Sequence, residues 1–205
     1  MVWVVFDYGG VISSWPSEED MATLAGAADV PVPRLADAYW QLRPAYDRAD
    51  LGALDYWRRV GRLAGHVPDY SDAEVAELTD LDSDSWLHLQ AGTVALIEEL
   101  AAAGHQLALL SNAPAETAAA IVELPVARHF EHLMFSCELK AIKPDPECFA
   151  AALARLGAAA TEVILVDDRA ENVTAAASLG MRAVHFSSPG QVRALLVELL
   201  GHHRQ

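Results

Sequence analysis

Asp7 constrains this chain more than any other residue, because it ends an apolar run and opens a glycine loop. Residues 2–6 are apolar throughout, and Asp7 passes directly into Tyr8-Gly9-Gly10-Val11. A continuous run of valines and aromatics stopped by glycines reads as a buried strand opening into a tight loop. A carboxylate there stands at the carboxyl end of a core strand. It lies beside backbone N–H groups that only a glycine-rich loop can turn towards a ligand. Three later segments repeat the arrangement. Residues 107–110 run into Ser111-Asn112, 135–137 lead to Lys143-Pro144-Asp145-Pro146, and 163–166 run into Asp167-Asp168. A nucleophile, a hydroxyl, a lysine and a carboxylate pair at strand ends imply a reaction centre.

The second half of the chain supplies the frame for these ends. Helical patterns at 93–103, 115–122, 145–156, 170–179 and 191–200 alternate with strand patterns at 106–110, 132–136, 163–166 and 182–186. Gly104, Gly157 and Gly180 stand where helix C-caps are expected. Such alternation implies an α/β fold: right-handed crossovers and a Rossmann-like parallel sheet with helices on both faces. Ligands of open α/β sheets bind outside the carboxyl ends of the strands. Residues 15–88 break the rhythm, showing helical patterns at 18–27, 32–45, 54–64 and 72–78 and no convincing strand. The expected organisation is therefore a catalytic core of 1–14 and 89–205 with an inserted helical cap at 15–88.

Composition narrows the partners. The formal charge of −15 argues against nucleic acid and anionic membranes. No apolar run approaches the roughly 20 residues that span a bilayer. The N-terminus enters the first strand with no basic n-region, so no signal peptide is expected. Cys137, placed in a strand, and Cys148, placed in a helix, are too few for a disulfide framework and read as buried thiols. A cytoplasmic protein is expected, with monomer and homodimer both open.

Aspartate can attack phosphorus or carbon covalently and split one hard step into two easier ones. Against a phosphate monoester, anion meets anion, at roughly 4 kcal/mol for two unit charges about 4 Å apart at an effective dielectric of 20. Cations must balance that. Lys143 is one, and Asp7 with Asp167-Asp168 supplies hard oxygen ligands suited to Mg²⁺. Ser111 and Asn112 add neutral donors for phosphate oxygens.

The segments Phe6-Asp7-Tyr8-Gly9-Gly10-Val11, Leu110-Ser111-Asn112, Lys143-Pro144-Asp145-Pro146 and Val166-Asp167-Asp168-Arg169-Ala170-Glu171-Asn172 resemble the four ordered motifs of the haloacid dehalogenase superfamily. The helical insertion lies between the first and second, as in members with a helical cap. The resemblance implies Asp7 as nucleophile, with Lys143 neutralising the phosphate and orienting it. Gly10, Ser111, Asn112 and Lys143 would bind phosphate. Asp7, the Gly9 carbonyl and Asp168 would hold Mg²⁺, with Asp167 direct or through water. A small phosphorylated metabolite is the implied substrate.

One position departs from the pattern. Phosphatases of the superfamily usually carry a second aspartate, the leaving-group acid, where this chain has Gly9. A general acid is worth about 10²–10⁴ in rate, so esters of acidic alcohols should react best. The resemblance extends to sugar-phosphate phosphatases with glycine there. The alternatives are a catalytically weak metal- and phosphate-binding regulatory module and a 2-haloacid dehalogenase, which needs no metal. In the insertion, Tyr39, Trp40, Tyr46, Tyr56 and Trp57 read as helix-packing core ahead of substrate contacts, and Arg43 and Arg48 as solvated, with one of them open to reading a substrate's polar end. Glu18-Glu19-Asp20 reads as an acidic helix start. His202-His203 reads as tail and not as a metal site.

Overall fold

The computed structural model describes residues 2–201, so His202-His203 lies outside the described residues. Five strands form one parallel sheet: β1 Trp3–Phe6, β2 Gln106–Ser111, β3 His132–Phe135, β4 Val163–Asp167 and β5 Arg182–His185, in the order β3-β2-β1-β4-β5. Strand β1 is central. Its Phe6 lies in register with Leu109 of β2 and Val166 of β4. The chain moves outward to β3 on one side, then crosses to β4 on the other, so the switch in strand order falls beside β1. That is where an open α/β sheet forms its ligand crevice.

Alternation along the strands divides the core. Val4 and Phe6 join Leu107, Leu109, Ile164 and Val166 on one face. There they meet helices α5 Ala91–Ala102, α6 Ala115–Val122 and α10 Pro189–Gly201. Trp3 and Val5 turn to the other face with Ala108, Leu110, Val163 and Leu165. They meet α8 Pro146–Leu156 and α9 Ala170–Ser178 there. A period-2 side-chain pattern covered on both faces explains why the strands are apolar throughout.

Four helices separate β1 from α5: α1 Glu18–Ala27, α2 Val32–Asp47, α3 Ala53–Ala64 and α4 Asp72–Ser85. They bury an apolar cluster of their own, centred on Tyr39, Tyr46, Tyr56, Trp57 and Leu78. The acidic start of α1 is a capping box, in which Ser17 and Asp20 satisfy each other's backbone N–H groups. The chain leaves and re-enters the sheet unit at adjacent points: Ser14 N–H donates to the His88 carbonyl and Gln90 N–H to that of Ile12. The helices also touch the sheet unit, with Tyr46 Oη 2.9 Å from Glu116 Oε2 and Ser136 Oγ donating to the Asp47 carbonyl at 2.6 Å.

Two sequence readings need correction here. Helix α4 runs to Ser85, well past residue 78, because its polar second half is buried: Asp82, Ser83 and Ser85 are all inside. Cys137 sits in the short helix α7 Ser136–Leu139, not in a strand. Both cysteines are buried and free, and burial pushes the Cys148 thiol up to about 12. Among the described residues, no helix is long and apolar enough to cross a membrane.

Candidate active site

The carboxyl ends of β1 and β4 bring Asp7, Asp167 and Asp168 together, each with a carboxylate oxygen within 4.8 Å of the others. Lys143 arrives from the segment before α8. Its Nζ lies 2.7 Å from Asp7 Oδ1 and 2.7 Å from Asp167 Oδ2. Lysine and both partners are buried. Tyr8 N–H also donates to Asp7 Oδ1 at 2.7 Å, so the nucleophile candidate is held in a fixed plane. One lysine cannot balance this many carboxylates. Burial, aided by the Asp167 charge, pushes Asp7 up to about 8 against the pull of Lys143. Burial works on Asp167 too, but Lys143, the Arg169 amide and Asn172 outweigh it and hold that carboxyl below its usual range. Lys143 goes up: the two carboxylates overcome the effect of its burial.

The two adjacent aspartates have different surroundings. Asp167 is saturated, accepting from Lys143 and Asn172 on Oδ2 and from Arg169 N–H and Asn172 on Oδ1. Asp168 accepts the Trp15 indole N–H on Oδ2 at 2.9 Å, while its Oδ1 is buried without a partner. An unpartnered carboxylate oxygen beside two further carboxylates fits a hard divalent cation such as Mg²⁺. Asp168 thus keeps an oxygen open to a cation, whereas both oxygens of Asp167 are committed to Lys143, Arg169 and Asn172.

Both glycines after Asp7 are required, for different reasons. Gly10 has φ +74°, and a Cβ there would lie 2.0 Å from Asp168 Oδ2 and 2.7 Å from Trp15 Nε1. Gly10→Ala is expected to lower stability by about 1–2 kcal/mol from backbone strain alone. Displacement of Asp168 should weaken Mg²⁺ binding as well, read by titration calorimetry. Gly9 is required by close approach: a Cβ would meet Trp86 Cζ3 at 2.8 Å. The Trp86 ring thus covers the place where the missing acid would project. Gly9→Asp is expected to lose about 1–3 kcal/mol through overpacking. Adding Trp86→Ala should make the pair less destabilised than the sum of the singles. Thermal melts of the four proteins check this, and strict additivity would contradict it.

Ser111 ends β2 and lines the same cavity as Asp7, Asn112 and Lys143. Asn112 has a duty that motif spacing does not reveal. Its Oδ1 accepts from Lys143 N–H at 2.8 Å and its Nδ2 donates to the Lys143 carbonyl at 2.9 Å. The amide clamps the lysine's backbone and uses one of its two N–H bonds to do so.

The model of the haloacid dehalogenase-like hydrolase family matches residues 2–180. The chain belongs to this family of hydrolases. It is 26% identical over 199 residues, 96% of this chain and 95% of the other, to the sesquiterpene phosphatase astK of Aspergillus oryzae. Its fold is similar to that of the haloacid dehalogenase family enzyme bt-2542 from Bacteroides thetaiotaomicron, solved with magnesium and inorganic phosphate. That match has a TM-score of 0.74 at 18% identity, covering 92% of this chain and 95% of that one. An L-2-haloacid dehalogenase from Xanthobacter autotrophicus, with chloropropionic acid covalently bound, matches at TM-score 0.70 and 18% identity, over 97% and 83% of the two chains. These structural likenesses concern the fold.

Beyond the family motifs, this hydrolase brings helical-block residues to the Asp7 cavity: Trp15, Trp40, Arg43, Pro44, Asp47 and Trp86. Two of them overturn sequence readings. Arg43 is buried, not solvated, because Asp47 and Asp82 both pair with it and Tyr39 accepts from its Nη1. Trp40 is not packed core: it is 43% exposed and lines the cavity, whereas Tyr39, Tyr46, Tyr56 and Trp57 are buried as expected. Arg48 is two-thirds buried and bridges Asp50 and Asp145. Trp15 and Trp86 carried no sequence signal beyond being tryptophans. Arg43 had one, since Asp47 stands at i+4, in range for a helical ion pair.

Proposed function

We propose that the protein is a Mg²⁺-dependent phosphoric monoester hydrolase that acts on a small phosphorylated metabolite through an aspartyl-phosphate at Asp7. Residues 1–14 and 89–205 would form the catalytic core, with 15–88 as a cap over it. The observation that carries this reading is the cluster of Asp7, Asp167 and Asp168 around Lys143, with Asp168 Oδ1 unpartnered. Its charge calls for one more cation. The similarity to a protein named as a phosphatase over nearly its whole length supports the same chemistry.

Asp7, Asp168 and the Gly9 carbonyl would hold Mg²⁺. Bound there, the ion would polarise a phosphoryl oxygen and supply the charge that keeps Asp7 an anion. Asp7 attacks phosphorus and the bond to the ester oxygen breaks. Lys143, the Ser111 hydroxyl and the N–H groups of the Gly9-Gly10 loop receive the non-bridging oxygens. Water then attacks the aspartyl-phosphate, releasing phosphate and regenerating Asp7. With Gly9 in place of an acid, the departing oxygen takes its proton from water.

Chelation tests this directly. Hydrolysis of p-nitrophenyl phosphate should stop with EDTA and return with Mg²⁺. Mg²⁺ at about 100 times its Kd should also stabilise the fold by about 2.7 kcal/mol. Chelator-insensitive halide release from a 2-haloacid would overturn the reading in favour of a dehalogenase. Mg²⁺-dependent phosphate binding without turnover of any ester would overturn it in favour of a regulatory module.

A further inference from the structure

We infer that the cavity beside Asp7 takes phosphate esters of apolar alcohols, and that Trp15, Trp40 and Trp86 are the residues that select them. The inference rests on the phosphohydrolase reading of Asp7 and adds the substrate class. A cavity of about 370 Å³ opens from Asp7, Ser111 and Lys143 towards the helical block. Its walls beyond the phosphate end are Trp15, Trp40, Trp86, Pro44, Ile121 and Ile142. The three indoles form one surface, with ring centroids 5.7 Å apart for Trp15 and Trp40, 5.3 Å for Trp15 and Trp86, and 6.3 Å for Trp40 and Trp86.

Trp15 and Trp40 are 41% and 43% exposed, although a few residues away α2 buries Tyr39 and Tyr46 completely. Large rings left half-open at a cavity mouth are unpaid apolar surface that an apolar ligand would cover.

Arg43, Thr117 and Arg169 in the same wall are already engaged. Arg43 is held by Asp47, Asp82 and Tyr39, and three aromatic rings surround its guanidinium. Thr117 Oγ1 faces Ser83 Oγ at 3.4 Å, and the Arg169 guanidinium is taken by Glu171. A sugar placed here would surrender the water around its hydroxyls for a wall of indoles and engaged groups. A hydrophobic pocket disfavours an added hydroxyl by about 10²-fold. The cavity therefore departs from the sugar-phosphate class that Gly9 suggested.

Leaving-group reactivity must be held constant in the test. 2-Phenylethyl phosphate and glucose 6-phosphate are both esters of primary alcohols, so their comparison isolates the organic group. With Mg²⁺, kcat/KM is expected to favour 2-phenylethyl phosphate by about 10²-fold, within the range a pocket of this kind achieves. Trp40→Ala removes a half-exposed ring, a change compatible with folding. It should cut that preference about tenfold, while Trp40→Phe should retain most of it. Equal turnover of the two esters, or an unchanged preference in Trp40→Ala, would overturn the inference.

Acetyl phosphate separates this failure from that of the phosphohydrolase reading, because its acyl group is too small to span the indole wall. Hydrolysis of acetyl phosphate with no preference for the apolar ester sinks only the substrate class. If acetyl phosphate is not hydrolysed, the phosphohydrolase reading falls, and binding decides the pocket. Quenching of tryptophan emission by 2-phenylethylphosphonate should then saturate at about 10-fold lower concentration than with the phosphonate analogue of glucose 6-phosphate. Equal affinities would overturn the inference.

Discussion

Asp7→Asn is expected to lower kcat by at least about 10³-fold, the scale on which loss of a covalent nucleophile is felt, and to raise the stability of the metal-free fold. The activity loss follows from replacing a carboxylate by an amide that cannot form a stable phosphoryl ester. The stability gain follows from charge. Asp7 is raised from 3.8 to about 8 by burial and by Asp167, so the folded protein gives up this proton less readily than the unfolded chain. A carboxyl of that kind is neutral in both states below 3.8, and its contribution is then neutral too. As pH rises towards 8 the unfolded chain ionises first, and folding loses stability that it does not regain above 8. The amide never ionises. The difference in melting temperature between variant and wild type should therefore open between pH 4 and pH 8 in EDTA, and shrink when Mg²⁺ is added. A constant difference across that range would contradict the charge assignment.

Lys143→Met should have the largest effect on stability. Lys143 is 2% exposed and bonded to two buried carboxylates at 2.7 Å each. Methionine matches its length and removes its charge, leaving Asp7 and Asp167 facing each other with Asp168 nearby. Breaking a buried ion pair by deleting one partner typically costs about 3–5 kcal/mol. Denaturant melts in EDTA should show a loss of that order, partly recovered in Mg²⁺, and phosphatase turnover should be lost in both. A destabilisation below about 1 kcal/mol would mean that Lys143 and Asp167 do not form the buried ion pair described.

The sheet and the motif residues were legible because one physical rule places them. Apolar strands covered on both faces end abruptly, so the polar residue at each end stands out. Asp7, Ser111, Asp167 and Asp168 converge for that reason, and Lys143 reaches them from the segment between α7 and α8. What lay beyond reading was the far side of the cavity. Tyr39, Arg43 and Tyr46 share a helical face on α2, and spacing shows that they do. It cannot show that Asp82, 39 positions on from Arg43, supplies the charge that lets Arg43 go inside. The second half of α4 was lost for the same reason, since Asp82, Ser83 and Ser85 look like loop residues until their buried partners are known. Nor does any local pattern place Trp86 over Gly9. A glycine in that loop is consistent with a turn, a close approach or a lost acid, and only the neighbouring ring distinguishes them.

The aspartyl-phosphate at Asp7 can be sought directly. Protein incubated with acetyl phosphate and Mg²⁺, quenched in acid and digested, should yield the peptide containing Asp7 with one added phosphoryl group by mass spectrometry. The adduct should be absent from Asp7→Asn and from wild type in EDTA. Turnover of acetyl phosphate with no adduct on Asp7, or with the phosphoryl group on another residue, would contradict the mechanism.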